Sequence, residues 1–293
     1  MEKVNCILCG SWESREICSY KQVKIAHCEK CGFIYRNPRL KKDSNEQFYS
    51  FDYYKEYEGI DIKIIEARLD LFRTVLKKLS KKISYDSRKI LDVGCGHGHF
   101  LKLARDLGWN AKGVELSKTA CAYAKEIFGL DVVDKSVDRA CLNENYFDTV
   151  TLWNVLDHLS SPLVQLKEIR RLLKPRGVLF IRVPNVSFHL FVHKLFRLLP
   201  QFLKTRLIND PSVITNYGFS SKTIKKILNK TGFCNIAVYN SPLSSGDPYK
   251  SASFNQGFVK LIKLLLNMVS NAVYFLSFGK FYIGSSLIIY AEK

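Results

Sequence analysis

Between Lys89 and Gly108 an apolar run, KILDVG, meets a glycine cluster, GCGHGHF, and passes into LKLARDLG, a helical pattern closed by glycine. A buried strand that turns through glycines into a helix belongs to a sheet with helices on its faces. The chain repeats that alternation. AKGVEL (111–116), LDVV (130–133) and FDTVTLW (147–153) read as strands, and SKTACAYAKEIFG (117–129) as a helix N-capped by Ser117. SPLVQLKEIRRLLKPRG (161–177) reads as a helix begun at Ser-Pro and stopped by Pro175 and Gly177, with VLFIRVPN (178–185) the next strand. SSKTIKKILNKTGF (220–233) is a further helix, and CNIAVYN (234–240) and SSLIIYAEK (285–293) are strands. Strands separated by helices of this length build βαβ units around a largely parallel sheet.

Ahead of the sheet the chain is cysteine-rich. Cys6 and Cys9, then Cys28 and Cys31, form two CxxC pairs with eighteen residues between them, each pair followed by glycine (Gly10, Gly32). Four thiolates at that spacing supply a closed tetrahedral zinc site, so the metal expected here is structural. A redox CxxC would need a βαβ context that the segment lacks. Cys95 lies in the glycine cluster, and Cys121, Cys141 and Cys234 read as small buried fillers. Nine cysteines without an apolar leader argue for reduced thiols and a cytoplasmic location.

A net charge of +18 could serve nucleic acid, an anionic membrane or a phosphorylated substrate. The lysines are diffuse, and neither a basic arm nor an aromatic RNA-binding strand accompanies them, which argues against nucleic acid. The most apolar stretch, 261–278, carries Lys263, Asn267 and Asn271 at i, i+4, i+8, a polar stripe on one helix. It reads as amphipathic rather than membrane-spanning. With 188–208 it forms either a lid over a cleft or a peripheral membrane contact.

A glycine turn at the carboxyl edge of a parallel sheet lets a ligand approach the backbone. Glu115, 21 residues after Gly94 at the end of the next strand, is placed to accept hydrogen bonds from ribose hydroxyls. The glycines stand at 94, 96 and 98, with His99 next, so the dinucleotide spacing is not met. A nucleoside with a charged amino-acid tail and no phosphate suits this turn better.

ILDVGCGHGHF, VEL, FDTVTLWNVLDHL and LLKPRGVLFIRVPN resemble, in order and spacing, the motifs of class I S-adenosylmethionine-dependent methyltransferases over roughly 88–240 and the closing strand. With the two CxxC pairs, YRNPRL and FYSFDYY, the chain is similar to a subgroup carrying an N-terminal zinc ribbon, many of whose members act on sugars and cell-surface glycans. The resemblance implies a Rossmann-like α/β fold with a seven-stranded sheet, its last strand antiparallel and helices on both faces. It implies a zinc ribbon over 1–45, a helical linker or cap over 46–87, and an S-adenosylmethionine-binding domain over 88–293 with helical insertions at about 186–219 and 241–283. By the same resemblance Asp92, Gly94, Cys95 and Gly96 line the methionine and ribose end of the cofactor. Glu115 holds the ribose diol and Leu116 packs on adenine, while Ser136 or Val137 takes the adenine edge. Trp153 and Asn154 face the reacting centre.

In WNVLDHL, Asn154, Asp157 and His158 fall at i, i+3, i+4 and can share a helical face. His158 is the candidate base with Asp157 beside it; the alternative is a residue that caps the turn and packs under the cofactor. The related motif of ubiquinone-biosynthesis O-methyltransferases ends in Glu-His and is associated with a divalent metal. The place before the 220–233 helix where relatives carry a histidine holds Asn216 or Tyr217, and His189 with His193 reads as the polar side of a helix. The leading expectation is O-methylation of a sugar in cell-surface polysaccharide biosynthesis. The alternatives are RNA methylation, or a lipid-linked or quinone-like acceptor at the membrane surface. Oligomeric state is not legible in the sequence.

Overall fold

Three short strands open the chain: β1 (Ser14–Tyr20), β2 (Val23–Cys28) and β3 (Ile34–Arg36). Helix α1 (Lys42–Gln47) and a single π-helical turn (Phe48–Asp52) follow, then the long helix α2 (Ile62–Ser80). The computed structural model describes residues 1–20, 23–52, 62–83, 88–197, 215–242 and 256–293. The sequence features at 53–54, 198–208 and 243–255 lie outside them.

The expected alternation fills the next hundred residues. Its elements are β4 (Lys89–Val93), α3 (His99–Asp106), β5 (Asn110–Val114), α4 (Lys118–Phe128), β6 (Asp131–Val133), β7 (Phe147–Trp153), α5 (Pro162–Leu172) and β8 (Leu173–Pro184). Helix α6 (Val186–Arg197), β9 (Tyr217–Gly218), α7 (Ser221–Lys230), β10 (Cys234–Asn240), α8 (Gln256–Leu276) and β11 (Ser286–Glu292) complete the chain. Capping matches the sequence: Ser117 Oγ accepts from Ala120 N at 3.3 Å, and Ser220 forms a reciprocal capping box with Thr223.

A seven-stranded sheet runs in the order β10-β11-β8-β7-β4-β5-β6, with β11 antiparallel to both its neighbours. The pleat sends alternate residues of β7 to opposite faces. Val150 and Leu152 join Leu166 and Ile169 of α5 and Ile224 and Ile227 of α7. On the other face Phe72, Leu76 and Leu79 of α2 meet Phe100 and Ala104 of α3 and Phe180 of β8. Helix α2 buries positions 71, 72, 75, 76 and 79 and exposes 70, 73, 74, 77 and 78, a 3–4 repeat that seats one face on the sheet. Each such leucine or phenylalanine contributes about 1.5–3 kcal/mol.

Two expectations need correction. The helix read over 161–177 ends at Leu172, and β8 begins at once. Leu173 pairs with Phe147, the register shifts, and Val178 resumes pairing opposite Thr149. Arg176 takes a left-handed φ of 64° inside that bulge, so Lys-Pro-Arg-Gly ends no helix; it bends a strand. Cys141 and Cys234 are exposed rather than buried fillers, whereas Cys121 is buried as expected.

The N-terminal strands share a second sheet, β1-β2-β3-β9, in which β9 comes from the segment before α7. Phe33 stacks near Tyr217 and Phe219, with centroids 6.0 and 5.6 Å apart. The ribbon core, including Cys6, Leu8 and Tyr35, is thereby continuous with the α5–α7 side of the large sheet.

Candidate active site and metal centre

The five parallel strands β4, β5, β6, β7 and β8 bring their carboxyl ends to one edge, where the polar residues singled out in the sequence gather. The β4–α3 turn is built on left-handed glycines at 94, 96 and 98. A Cβ at Gly94 would stand 2.5 Å from Val155 Cγ2, and one at Gly98 would stand 2.6 Å from Leu130 Cδ1, so both positions need glycine for space as well as for φ.

Beneath this turn lie two buried carboxyl groups. Asp92 Oδ1 accepts from Thr151 Oγ1 at 2.6 Å. Burial raises the acid to about 8, against the pull of the Thr151 hydrogen bond and with a further push from Glu115. Glu115 Oε2 accepts from Gly96 N at 2.8 Å and Oε1 from Ser117 N at 2.9 Å. Burial raises its pKa too, against those backbone donors. Each Glu115 oxygen keeps a second lone pair, so the carboxylate that shapes the turn can also accept from a ribose diol. Cys95 turns its side chain under β5: a Cβ at Gly113 would stand 2.7 Å from Cys95 Sγ, and burial holds the thiol well above its usual range. Only its backbone faces the edge. Leu116 is half-buried just beyond Glu115.

At the neighbouring strand ends, Asn154 adopts φ 55° and its Oδ1 accepts from Arg182 Nη1 at 2.8 Å. Arg182 is buried and also donates from Nε to Ser241 Oγ. The Trp153 ring packs between Phe72, Phe100 and Phe180, with centroids 4.5–5.1 Å away. Its indole Nε1 is buried without a hydrogen-bond partner among the described residues. After β6, Val137 is buried in the core, while Ser136 Oγ and Asp138 Oδ1 are buried and unpartnered among the described residues. Orphaned donors and acceptors at the far end of the same edge suit the polar rim of a purine.

Asp157 and His158 follow β7 and come together as expected. His158 Nε2 is 3.4 Å from Asp157 Oδ2, and Nδ1 is 2.6 Å from Tyr49 Oη. Thr215 Oγ1 donates to the Asp157 carbonyl at 2.8 Å and to Oδ2 at 3.2 Å, and Asn216 Nδ2 donates to His158 O at 2.8 Å. Tyr49, Thr215 and Arg182 had been given no role in the sequence reading. Arg182 alone left a signal, a single charge inside the apolar run VLFIRVPN. Of the two α6 histidines, His189 is buried and its Nε2 lies 2.9 Å from Ser285 O.

The four ribbon cysteines converge. Their sulfurs lie within 4.8 Å of one another, and Cys6–Cys31 and Cys9–Cys28 are each 3.5 Å apart. A tetrahedron with metal–sulfur bonds of about 2.3 Å has edges of about 3.8 Å, so the donor set fits zinc. Burial pushes the Cys6 thiol far up; at Cys9 burial is outweighed by the Ser11 backbone donor and neighbouring sulfurs, which draw it to about 7.

A doubly wound sheet with one antiparallel strand next to its edge, and a carboxylate-flanked glycine turn at its centre, defines the Rossmann-like methyltransferase architecture. Residues 64–238, more than half of the chain, match the family described as a methyltransferase domain, and the chain belongs to that family. It is 27% identical over 146 residues to the ubiquinone biosynthesis O-methyltransferase of Coxiella burnetii, covering 43% of this chain and 58% of that protein. It is 32% identical over 108 residues to the namesake of Haemophilus ducreyi, covering 33% and 46%. The chain thus spans about half the length of the curated relatives it matches. Phosphoethanolamine N-methyltransferase 2 of Haemonchus contortus, solved with S-adenosyl-L-methionine, shares the fold with a TM-score of 0.56 at 18% identity, over 89% of this chain and 61% of that one. A methyltransferase of Thermotoga maritima shares it at 0.52 and 16%, over 86% and 99%.

Proposed function

We propose that the protein transfers the methyl group of S-adenosylmethionine to a hydroxyl of a small ring-bearing molecule of the quinone-precursor kind. The observation that carries this reading is the Tyr49–His158–Asp157 chain at the carboxyl edge of the sheet. The cofactor, when bound, supplies an electrophilic methyl group. What the protein must add is alignment, exclusion of water and a place for the hydroxyl proton. With Nε2–H directed at Asp157, His158 Nδ1 is the accepting nitrogen. An acceptor hydroxyl that replaced Tyr49 as the donor to Nδ1 would leave its proton there, while the methyl–sulfur bond broken in exchange for the new C–O bond would release S-adenosylhomocysteine. Asp157, fixed by Thr215, steadies the imidazolium.

Asp92 and the glycine turn Gly94–Cys95–Gly96 take the methionine and ribose end, Glu115 the ribose diol, Leu116 and Ser136 the adenine. Asn154 forms the wall nearest the methyl, with Trp153 packed behind it among Phe72, Phe100 and Phe180. The likeness to ubiquinone biosynthesis O-methyltransferases supports a hydroxyl acceptor on a quinone precursor more directly than a sugar. Zinc in the ribbon is structural in this reading, because four protein sulfurs fill a tetrahedral shell.

The test is labelled methyl transfer to a panel of catechol-type phenols and nucleotide sugars, with wild type and His158→Gln. Phenol methylation that falls about a hundredfold in the variant is expected. Methylation of sugars alone would overturn the acceptor class, and an unchanged chemical step in His158→Gln would remove the base.

A further inference from the structure

Among its described residues, helix α8 meets the sheet through Ser270 and Tyr274. Ser270 is buried, its carbonyl accepting from Asn240 Nδ2 at 3.1 Å, and the Tyr274 hydroxyl donates to Val238 O at 3.4 Å. The face expected to cover a cleft points the other way. Leu264, Leu265, Met268, Val269, Phe275 and Leu276 are all exposed, and their spacing puts them on one side of the helix. The loop beyond adds Phe281 and Phe278, the latter 92% exposed. Phe278 is held outward with φ 52°, unusual for a bulky side chain, by a turn in which Gly279 N donates to Tyr274 O at 2.8 Å. Isolated exposed leucines are ordinary; a contiguous apolar face ending in bare phenyl rings marks an interaction surface.

Charge and position say what kind. From residue 251 to 291 the chain holds no aspartate or glutamate, while the exposed Lys280 stands between Phe278 and Phe281. Among the described residues no helix is long and apolar enough to cross a membrane, and phenyl rings beside a lysine are the composition of an interfacial segment. A second copy of the chain, packed face to face, would bring Lys280 no acidic residue from the same segment. The position is telling as well. Ser286 pairs with Pro184 at the end of β8, so the loop before β11 leaves the sheet at the carboxyl edge, where the glycine turn and His158 also lie. Asn185 Nδ2 ties it there, donating to Tyr282 O at 3.0 Å and Gly284 O at 2.9 Å.

We infer that the outer face of α8 and the Phe275–Phe281 tip dock the enzyme on an anionic phospholipid surface, with the rings at the headgroup–acyl boundary and Lys280 on lipid phosphate. This holds the mouth of the candidate site toward the membrane, and it stands whatever the acceptor proves to be.

The zinc-loaded full chain should float with phosphatidylglycerol-containing vesicles at low salt and release as salt rises. It should float poorly with pure phosphatidylcholine. Phe278→Asn with Phe281→Ser, at exposed positions and with asparagine tolerating the left-handed φ, should weaken partition at least about tenfold. Lys280→Glu should weaken it several-fold, and S-adenosylhomocysteine affinity should be unchanged in both variants. Absence of flotation, or flotation indifferent to these substitutions, would overturn the inference. So would light scattering that showed a dimer dissociated by the Phe278→Asn/Phe281→Ser pair, which would assign the face to a second copy.

Discussion

Asp92 offers the sharpest test of the site's electrostatics. Burial raises its folded-state pKa to about 8, against about 3.9 in an unfolded chain. Between those values the unfolded state has lost a proton that the native state keeps. Stability is therefore complete below the unfolded pKa and falls with rising pH, by about 1.4 kcal/mol per pH unit, until the folded pKa is passed. At pH 7 the accumulated cost is roughly 4 kcal/mol. Asp92→Asn removes the titration, and any packing or hydrogen-bond cost of the amide is the same at every pH. Guanidinium unfolding of both proteins from pH 5 to pH 8 should give curves that diverge, the variant gaining about 1.4 kcal/mol per unit relative to wild type. Parallel curves would mean that Asp92 is already ionised in the folded protein. A cationic ligand above Asp92 would favour its ionised form, so S-adenosylmethionine affinity should rise with pH over the same window.

Gly98→Ala sets a Cβ 2.6 Å from Leu130 Cδ1 and 3.1 Å from Ala124 Cβ at φ 81°; unfolding should show a loss of about 2–3 kcal/mol. In Glu115→Gln the single amide oxygen cannot serve both Gly96 N and Ser117 N, so titration calorimetry should show S-adenosylmethionine binding weakened about tenfold or more. Cys28→Ser removes a ligand from the cluster; metal analysis should find zinc lost relative to wild type, with a lower melting temperature.

Most of the sheet was legible because its strands are apolar runs set off by unambiguous punctuation. Ser117 and Ser220 capped helices as read, and FDTVTLW and CNIAVYN became strands with those bounds. The error at 173–177 arose where Pro and Gly carry two meanings. They end helices, but they also tolerate a bulge, and only the pairing of Leu173 with Phe147 decides between them. In the site, residues adjacent in sequence were found and residues joined only by the fold were not. Asp157 and His158 share one motif, whereas Tyr49 reaches His158 across 109 positions and Thr215 reaches Asp157 across 58. The outward face of α8 escaped for a different reason. Periodicity shows that a helix has an apolar side and not which way that side turns; the Ser270 and Tyr274 contacts with β10 set that.

The ribbon, although distant from it in sequence, is joined by hydrogen bonds to the Asp157–His158 turn. β3 pairs with β9 through Ile34–Gly218 and Tyr35–Tyr217, and Arg36 N donates to Asn216 O at 2.9 Å. The same short segment holds the other end of the connection: Asn216 N and Tyr217 N both donate to Asp157 O, and Thr215 binds its carboxylate. Arg39 adds a clamp, donating to Ser160 O and to the Tyr217 hydroxyl. The segment 215–217 is therefore hydrogen-bonded on one side to the ribbon and on the other to the loop that carries His158. A metal centre with four protein sulfurs has no coordination position for a substrate. A metal held by the four sulfurs would fix β2 and β3, which pair through to β9, and β9 is hydrogen-bonded to the Asp157–His158 turn. A closed site there would bear on that turn without a coordination position for a substrate.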